Sequence, residues 1–247
     1  MSKVVAYPGK TRRKREVSSK FWLLIFPFFF VLLAALYLNS SWALLADVRV
    51  EGNNHLTSTE IVAQSGLAAG DKYWRLNLRQ GRDKLLENPW LASVSMERVF
   101  PNIMVVRVEE RIPQVRVVSA QGELLVSRDG KVLGPNYANL SLPFLSGINR
   151  ANLSSGADLS GNIAVAEAIA ILYNFEEIVG NFSEINIDNR HMVLYTTDGY
   201  VLLVDYSTYM DKLLDLQDML QYFRRQGRLM LLDLRTPGGR VIARPLR

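Results

Sequence analysis

The chain has no cysteine and only two histidines, His55 and His191, among its 247 residues. The first absence excludes a disulfide-stapled scaffold and any thiolate metal site, whatever the compartment. The second leaves too few imidazoles for a His-based metal cluster. No G-x-S-x-G, P-loop or G-x-G-x-x-G pattern occurs. The neighbouring acids Glu109 and Glu110 read as one strand, so their side chains point to opposite faces and cannot serve as an acid–base pair. Basic surface is also scarce. Seven of the 29 basic side chains and one of the 24 acids lie in residues 1–20, which leaves 22 and 23 for the rest, a net of −1. The overall +5 is therefore local, and a basic face for nucleic acid is not expected. No small-molecule substrate, cofactor or catalytic role is expected either.

What the sequence does have is one long uncharged apolar run, Phe21 to Leu38, resuming at Trp42 to Ala46. At about 1.5 Å per residue, roughly 20 helical residues cross the hydrocarbon core. Trp22 stands at one end, with Tyr37 and Trp42 at the other, where amphipathic rings favour the headgroups. The run has no polar face, unlike a helix on a soluble core. It is too long for a signal peptide, and Leu44-Leu45-Ala46 is a poor cleavage site. Basic residues Arg12–Arg15 and Lys20 precede it, and the positive-inside bias places the N-terminus in the cytoplasm. The expectation is a cytoplasmic tail over 1–20, a transmembrane helix over 21–45 and two extracytoplasmic domains.

Residues 46–113 read as strand, two helices, two strands. Asp47–Glu51 ends at the turn cluster Gly52-Asn53-Asn54. Thr57 or Ser58 caps a helix that stops at Gly66. A second helix is expected from Leu78 to Glu87, stopped by Asn88-Pro89. A hairpin then turns at Phe100-Pro101-Asn102, with Met104, Val106 and Val108 on its inner face and Trp90 largely buried.

Residues 114–247 are rich in strands. Gln121-Gly122, Asp129-Gly130 and Asp198-Gly199 are hairpin or turn signals. Residues 134–162 read mostly as loop. Ile163–Phe175 is apolar on most sides and predicts a well-buried helix. Tyr209, Leu213, Leu216, Leu220 and Phe223 make the stripe of an amphipathic helix ending at Gly227. Strands are expected at Leu229–Arg235 and Val241–Ala243. Four N-x-S patterns, at Asn39, Asn139, Asn152 and Asn181, are read as chance in Asn- and Ser-rich segments.

Several patterns together resemble the bacterial cell-division FtsQ family, called DivIB in Gram-positive bacteria. Val48-x-Val50-x-Gly52-Asn53 followed by Glu60-Ile61, and Asn88-Pro89-Trp90 before Phe100-Pro101, are similar to its POTRA domain. Glu110-Arg111-Ile112-Pro113 resembles the exit from that domain. Asp129-Gly130-x-Val132, Pro143-x-Leu145-x-Gly147 and Asp233-Leu234-Arg235 resemble landmarks of its β domain. The resemblance implies an α+β chain: one transmembrane helix, a β-α-α-β-β POTRA domain, and a strand-rich β domain with two helices. It also implies a non-enzymatic scaffold at the septum of the cell membrane, with FtsB and FtsL (DivIC-type) as partners controlling septal peptidoglycan synthesis, and recruitment of other division proteins through the POTRA domain. The residues expected to bind the partner are Arg235, Gly239, Arg240, Val241, Ile242, Ala243 and Arg244. A POTRA-containing, membrane-anchored assembly factor for other envelope proteins is the alternative.

Overall fold

The computed structural model describes residues 19–120, 122–149, 153–179, 182–188, 191–205, 212–236 and 240–246. Helix α1 runs over Ser19–Leu38 and carries Pro27. Its described side chains project outward, among them Trp22, Phe26, Phe28, Phe30 and Leu33. Counting only residues with described side chains, no helix is long and apolar enough to cross a membrane. In α1 those of residues 19–21 and 24 are not among them, so the unbroken described stretch, 25–38, is shorter than a span. The backbone is nevertheless helical throughout the uncharged run.

A three-stranded sheet follows, built from β1 (Asp47–Glu51), β2 (Leu91–Val99) and β3 (Ile103–Glu110). Its order is β1-β3-β2, with β1 parallel and β2 antiparallel to β3. Helices α2 (Ser58–Ser65) and α3 (Leu78–Leu86) lie between β1 and β2 in sequence. A parallel pair needs such a crossover. The caps are local: Thr57 and Glu60 form a reciprocal capping box, Gly66 closes α2 in the left-handed region, and Asn77 caps α3. Gly52 permits the bend after β1, because a Cβ there would stand 2.2 Å from the Val108 carbonyl oxygen. Met104, Val106 and Val108 are buried against Ile61, Leu85 and Tyr73. Trp90 is largely but not fully buried, with its ring stacked on exposed His55 at 3.8 Å.

The second sheet has nine strands: β4 (Pro113–Ser119), β5 (Gly122–Ser127), β6 (Val132–Pro135), β7 (Phe144–Ser146), β8 (Phe182–Ile187), β9 (Met192–Thr196), β10 (Val201–Val204), β11 (Met230–Asp233) and β12 (Ile242–Pro245). Their order is β12-β11-β10-β9-β8-β7-β4-β5-β6. β7 is parallel to β8, and β10 to β11. The two helices of this unit, α4 (Ile163–Val179) and α5 (Leu213–Gln226), supply those two crossovers. Val165, Ala168, Ile169 and Leu172 of α4 and Leu216 and Leu220 of α5 share one core with the sheet. As expected of a well-buried helix, α4 buries Val165, Ala168, Ile169, Ile171 and Leu172, and among its described side chains it exposes Ile163 and Tyr173, the latter under the Arg128 guanidinium at 3.8 Å. The strand-bearing chain is an α+β protein.

The two sheets meet at Arg111. Its Nε donates to Asp129 at 2.7 Å, and its Nη1 donates to the carbonyls of Pro89 and Leu91. One guanidinium thus ties the end of the first unit to the β5–β6 turn of the second. Burial works against the Asp129 charge, but the bonds from Arg111 and Ser127 outweigh it and hold the carboxyl below its usual range.

The outer side of β6 is covered by residues 155–159. Val132 N–H donates to Ala157 O at 2.9 Å, Gly156 N–H to Val132 O at 2.8 Å, and Ser155 Oγ to Leu133 O at 3.0 Å. At the opposite end of the sheet, β12 has β11 as its sole strand neighbour among the described residues.

Candidate functional site: the C-terminal sheet edge

The approach to β12 begins at α5. Leu216 and Leu220 are buried and Phe223 packs beside them. Arg224 and Arg225 occupy the last turn, where cations suit the helix dipole, and Gly227 ends the helix in the left-handed region. Of the expected stripe, Tyr209 lies outside the described residues. Met230, Leu232 and Leu234 then alternate into the core along β11.

Three polar contacts shape the turn that follows. Asp233 receives the Arg235 side chain twice, at 2.8 Å from both Nε and Nη2, and the Arg235 N–H at 3.1 Å. Those side-chain bonds, against the cost of burial, hold the Asp233 carboxyl below its usual range, and Arg244 adds attraction. Lys212 is buried, and its ammonium donates to the carbonyls of Leu234 and Thr236. The Thr236 hydroxyl donates to the Arg240 carbonyl, closing the connection into β12.

β12 runs antiparallel to β11 with Leu231 opposite Arg244, Leu232 opposite Ala243 and Asp233 opposite Ile242. Leu246 N–H donates to Leu229 O at 3.0 Å, one step along the same register. Antiparallel pairs alternate between bonded and non-bonded. Arg244 and Ile242 therefore direct their backbone groups inward to β11, while Val241, Ala243 and Pro245 direct theirs outward. The last strand was expected to stop at Ala243 but continues through Pro245. The register explains this: the missing N–H of proline falls on the outward side, where β11 has no use for it.

The side chains divide as the alternation expects. Val241 and Ala243 pack on the core. Arg240, Ile242 and Arg244 are exposed, Ile242 at 41%. One hairpin thus collects Arg235, Arg240, Val241, Ile242, Ala243 and Arg244, and Gly239 lies outside the described residues. The result is an outward row of backbone donors and acceptors beside an Arg-Ile-Arg stripe. Such a row can template another strand. Sequence reasoning missed Lys212 and Thr236 as supports. The only local sign of Lys212 is a cation at a helix N-terminus, where the dipole disfavours it.

Elsewhere the polar residues do not converge. Among the described residues no group of His, Asp and Glu could hold a metal ion. His191 is half-buried and lies 3.8 Å from Asp188. Glu110 accepts from the His55 and Leu56 N–H groups, whereas Glu109 accepts from Ser93 across the sheet.

Comparison with known proteins follows the two sheets. The FtsQ-type POTRA domain matches residues 44–111, and the C-terminal domain of the cell division protein FtsQ/DivIB matches 115–235. The second match stops before β12. DivIB of Geobacillus kaustophilus is 26% identical over 207 residues, covering 83% of this chain and 77% of the relative. FtsQ of Syntrophotalea carbinolica is 28% identical over 161 residues, 62% of this chain and 56% of the relative. DivIB of Bacillus subtilis is 21% identical over 211 residues, 83% and 76% of the two chains. This chain belongs to the FtsQ/DivIB family of cell division proteins.

Proposed function

We propose that this chain is a membrane-anchored, non-enzymatic scaffold of the division machinery, and that β12 captures a strand of an FtsB-like partner (DivIC-type), in company with FtsL, to control septal peptidoglycan synthesis. The observation that carries the reading is the outer side of β12, which no strand pairs among the described residues, at the end of a sheet whose other edge is covered. In this reading residues 1–20 are cytoplasmic and the segment 21–45 holds the membrane anchor, whose crossing ends near Tyr37. Residues 46–113 form the POTRA domain that recruits other division proteins, and 114–247 form the β domain at the septum. The arginines flanking Ile242 suit a partner strand with carboxylates, which favours register and on-rate.

The test uses the register. Ala243→Pro removes an outward N–H and leaves the bonds to β11 in place. Binding of an FtsB extracytoplasmic peptide, measured by calorimetry, should fall at least about tenfold, which is roughly 1.4 kcal/mol. The circular dichroism should stay unchanged. Unaltered affinity in a folded variant sinks the assignment of β12.

A further inference from the structure

The chain leaving α1 is joined to the first globular unit by bonds rather than by a free linker. Leu45 N–H donates to Asp71 O and Gly70 N–H to Leu45 O, both at 2.8 Å, and Ala46 N–H donates to Asn102 O at 2.9 Å. Two loops, around 70–75 and 99–102, are therefore held against the end of the helix. Tyr37, in the last turn of α1, reaches both. Its hydroxyl accepts from Trp74 Nε1 at 3.1 Å. It also lies 3.3 Å from the Pro101 carbonyl oxygen and 3.4 Å from that of Trp42, donating to one at a time. The rings of Tyr37 and Trp74 meet edge to face. Arg98 steadies the first loop by donating to the carbonyls of Tyr73 and Leu76.

This arrangement leaves large apolar side chains facing solvent at one place. Trp42 is 62% exposed, Trp74 52% and Phe100 73%, and Lys72 and Arg75 are exposed beside them. We propose that these three aromatic side chains seat the POTRA unit on the outer leaflet of the bilayer, at the boundary of headgroups and acyl chains. The inference rests on the reading of α1 as the membrane anchor. A 20-residue helix is about 30 Å long, the thickness of the hydrocarbon core, so Tyr37 comes out at the interface. Trp74 and the carbonyl of Pro101 lie within one hydrogen bond of the Tyr37 hydroxyl and share its depth. Trp and Tyr favour that depth, with an apolar ring on one side and a polar group for the water on the other. Lys72 and Arg75 add attraction to anionic headgroups. The bilayer is the occupant that the helix itself brings to this surface.

Because the chain contains no cysteine, single introduced cysteines can be labelled. Fluorophores at Trp74→Cys and Phe100→Cys, each leaving the other anchors intact, are compared in the full chain with labels at Tyr137→Cys and Phe29→Cys. Tyr137 is 88% exposed on the second unit, and Phe29 lies within α1. The protein is held in nanodiscs of phosphatidylcholine and phosphatidylglycerol carrying spin labels either on the headgroup or at mid-chain. Headgroup spin labels should quench most of the emission at 74 and 100 and leave 137 bright, and mid-chain labels should quench 29. If 29 is quenched but 74 and 100 remain as bright as 137, the seating on lipid is wrong while the anchor stands. That outcome would leave the aromatic patch to a protein partner. A bright label at 29 removes the anchor and this inference with it.

Discussion

The two ends of the nine-stranded sheet solve the same problem in opposite ways. An edge strand exposes backbone donors and acceptors that recruit other strands. At β6 the chain folds back and satisfies them: Val132 exchanges bonds with Ala157 and Gly156, and Lys131 lies 4.0 Å from Asp158. At β12 the described residues offer no second layer. Instead the outward backbone of Val241 and Ala243 is flanked by two exposed arginines and followed by Pro245. Charge limits indiscriminate pairing and Pro245 removes one outward N–H, while the outward groups of Val241 and Ala243 remain. The contrast teaches that one fold can cover one edge of a sheet with its own chain and, among the described residues, leave the other guarded only by charge and proline.

The strongest way to break the contrast is to uncover β6. Gly130 has φ +81°, and a Cβ there would stand 2.8 Å from the Ser160 backbone nitrogen. Gly130→Val should therefore displace the covering segment and cost on the order of 2–4 kcal/mol, from backbone strain and the clash together. Urea unfolding measures the loss. Light scattering should report more self-association in the variant than in the native chain, because the freed edge carries no flanking arginine pair.

The support beneath the open edge comes next. Lys212→Met leaves the Leu234 and Thr236 carbonyls without their buried donor. A loss of about 1–3 kcal/mol is expected, together with faster amide exchange in β12 than in β6. Equal exchange in the two edges would detach Lys212 from the hairpin.

How far the sequence announced this contrast depends on the distance over which each feature acts. The Asp129-Gly130 turn, the α5 stripe ending at Gly227 and the short last strand around Val241 to Ala243 are local patterns of period and turn chemistry, and they were legible. The covering of β6 by residues 155–159 was not, because a stretch rich in Asn, Ser and Gly reads as loop whatever it touches. The insertion of β7 between β4 and β8 is a long-range pairing with no local signal. Likewise the direction of each N–H in the last strand has no local signal and follows from the bond from Leu246 to Leu229.

A smaller difference separates the edges on acidification. Asp129 sits at the turn entering β6 and Asp233 in the strand beside β12, and both carboxyls are held below their usual range. A carboxyl depressed in the folded state contributes stability that is complete above its unfolded pKa of about 3.9 and is lost as pH falls through the folded value. Stability should therefore be level through neutral pH and decline below about 4. Asp233→Asn should flatten part of that decline and leave the share of Asp129. The urea midpoint as a function of pH, for the native chain and the variant, separates the two.

The smallest effect on the fold should accompany the largest effect on specificity. Arg240 and Arg244 are exposed, and their side chains point away from the core. Surface substitutions without buried partners usually change stability by no more than about 0.5 kcal/mol. Arg240→Glu with Arg244→Glu should stay near that limit, with a modest addition because Arg244 attracts the Asp233 carboxylate. The outward N–H and C=O groups of Val241 and Ala243 are untouched, so the edge remains able to pair. What changes is the sign of the field that an approaching strand meets. Association with an acidic partner strand should slow, and its salt dependence should shrink or reverse, because opposite charges no longer steer the encounter and like charges oppose it. Stopped-flow association at two ionic strengths provides the test. If the reversed edge associates as fast as the native one, with the same salt dependence, the arginines serve only to keep an exposed strand soluble, and selectivity must come from Ile242 and the backbone alone.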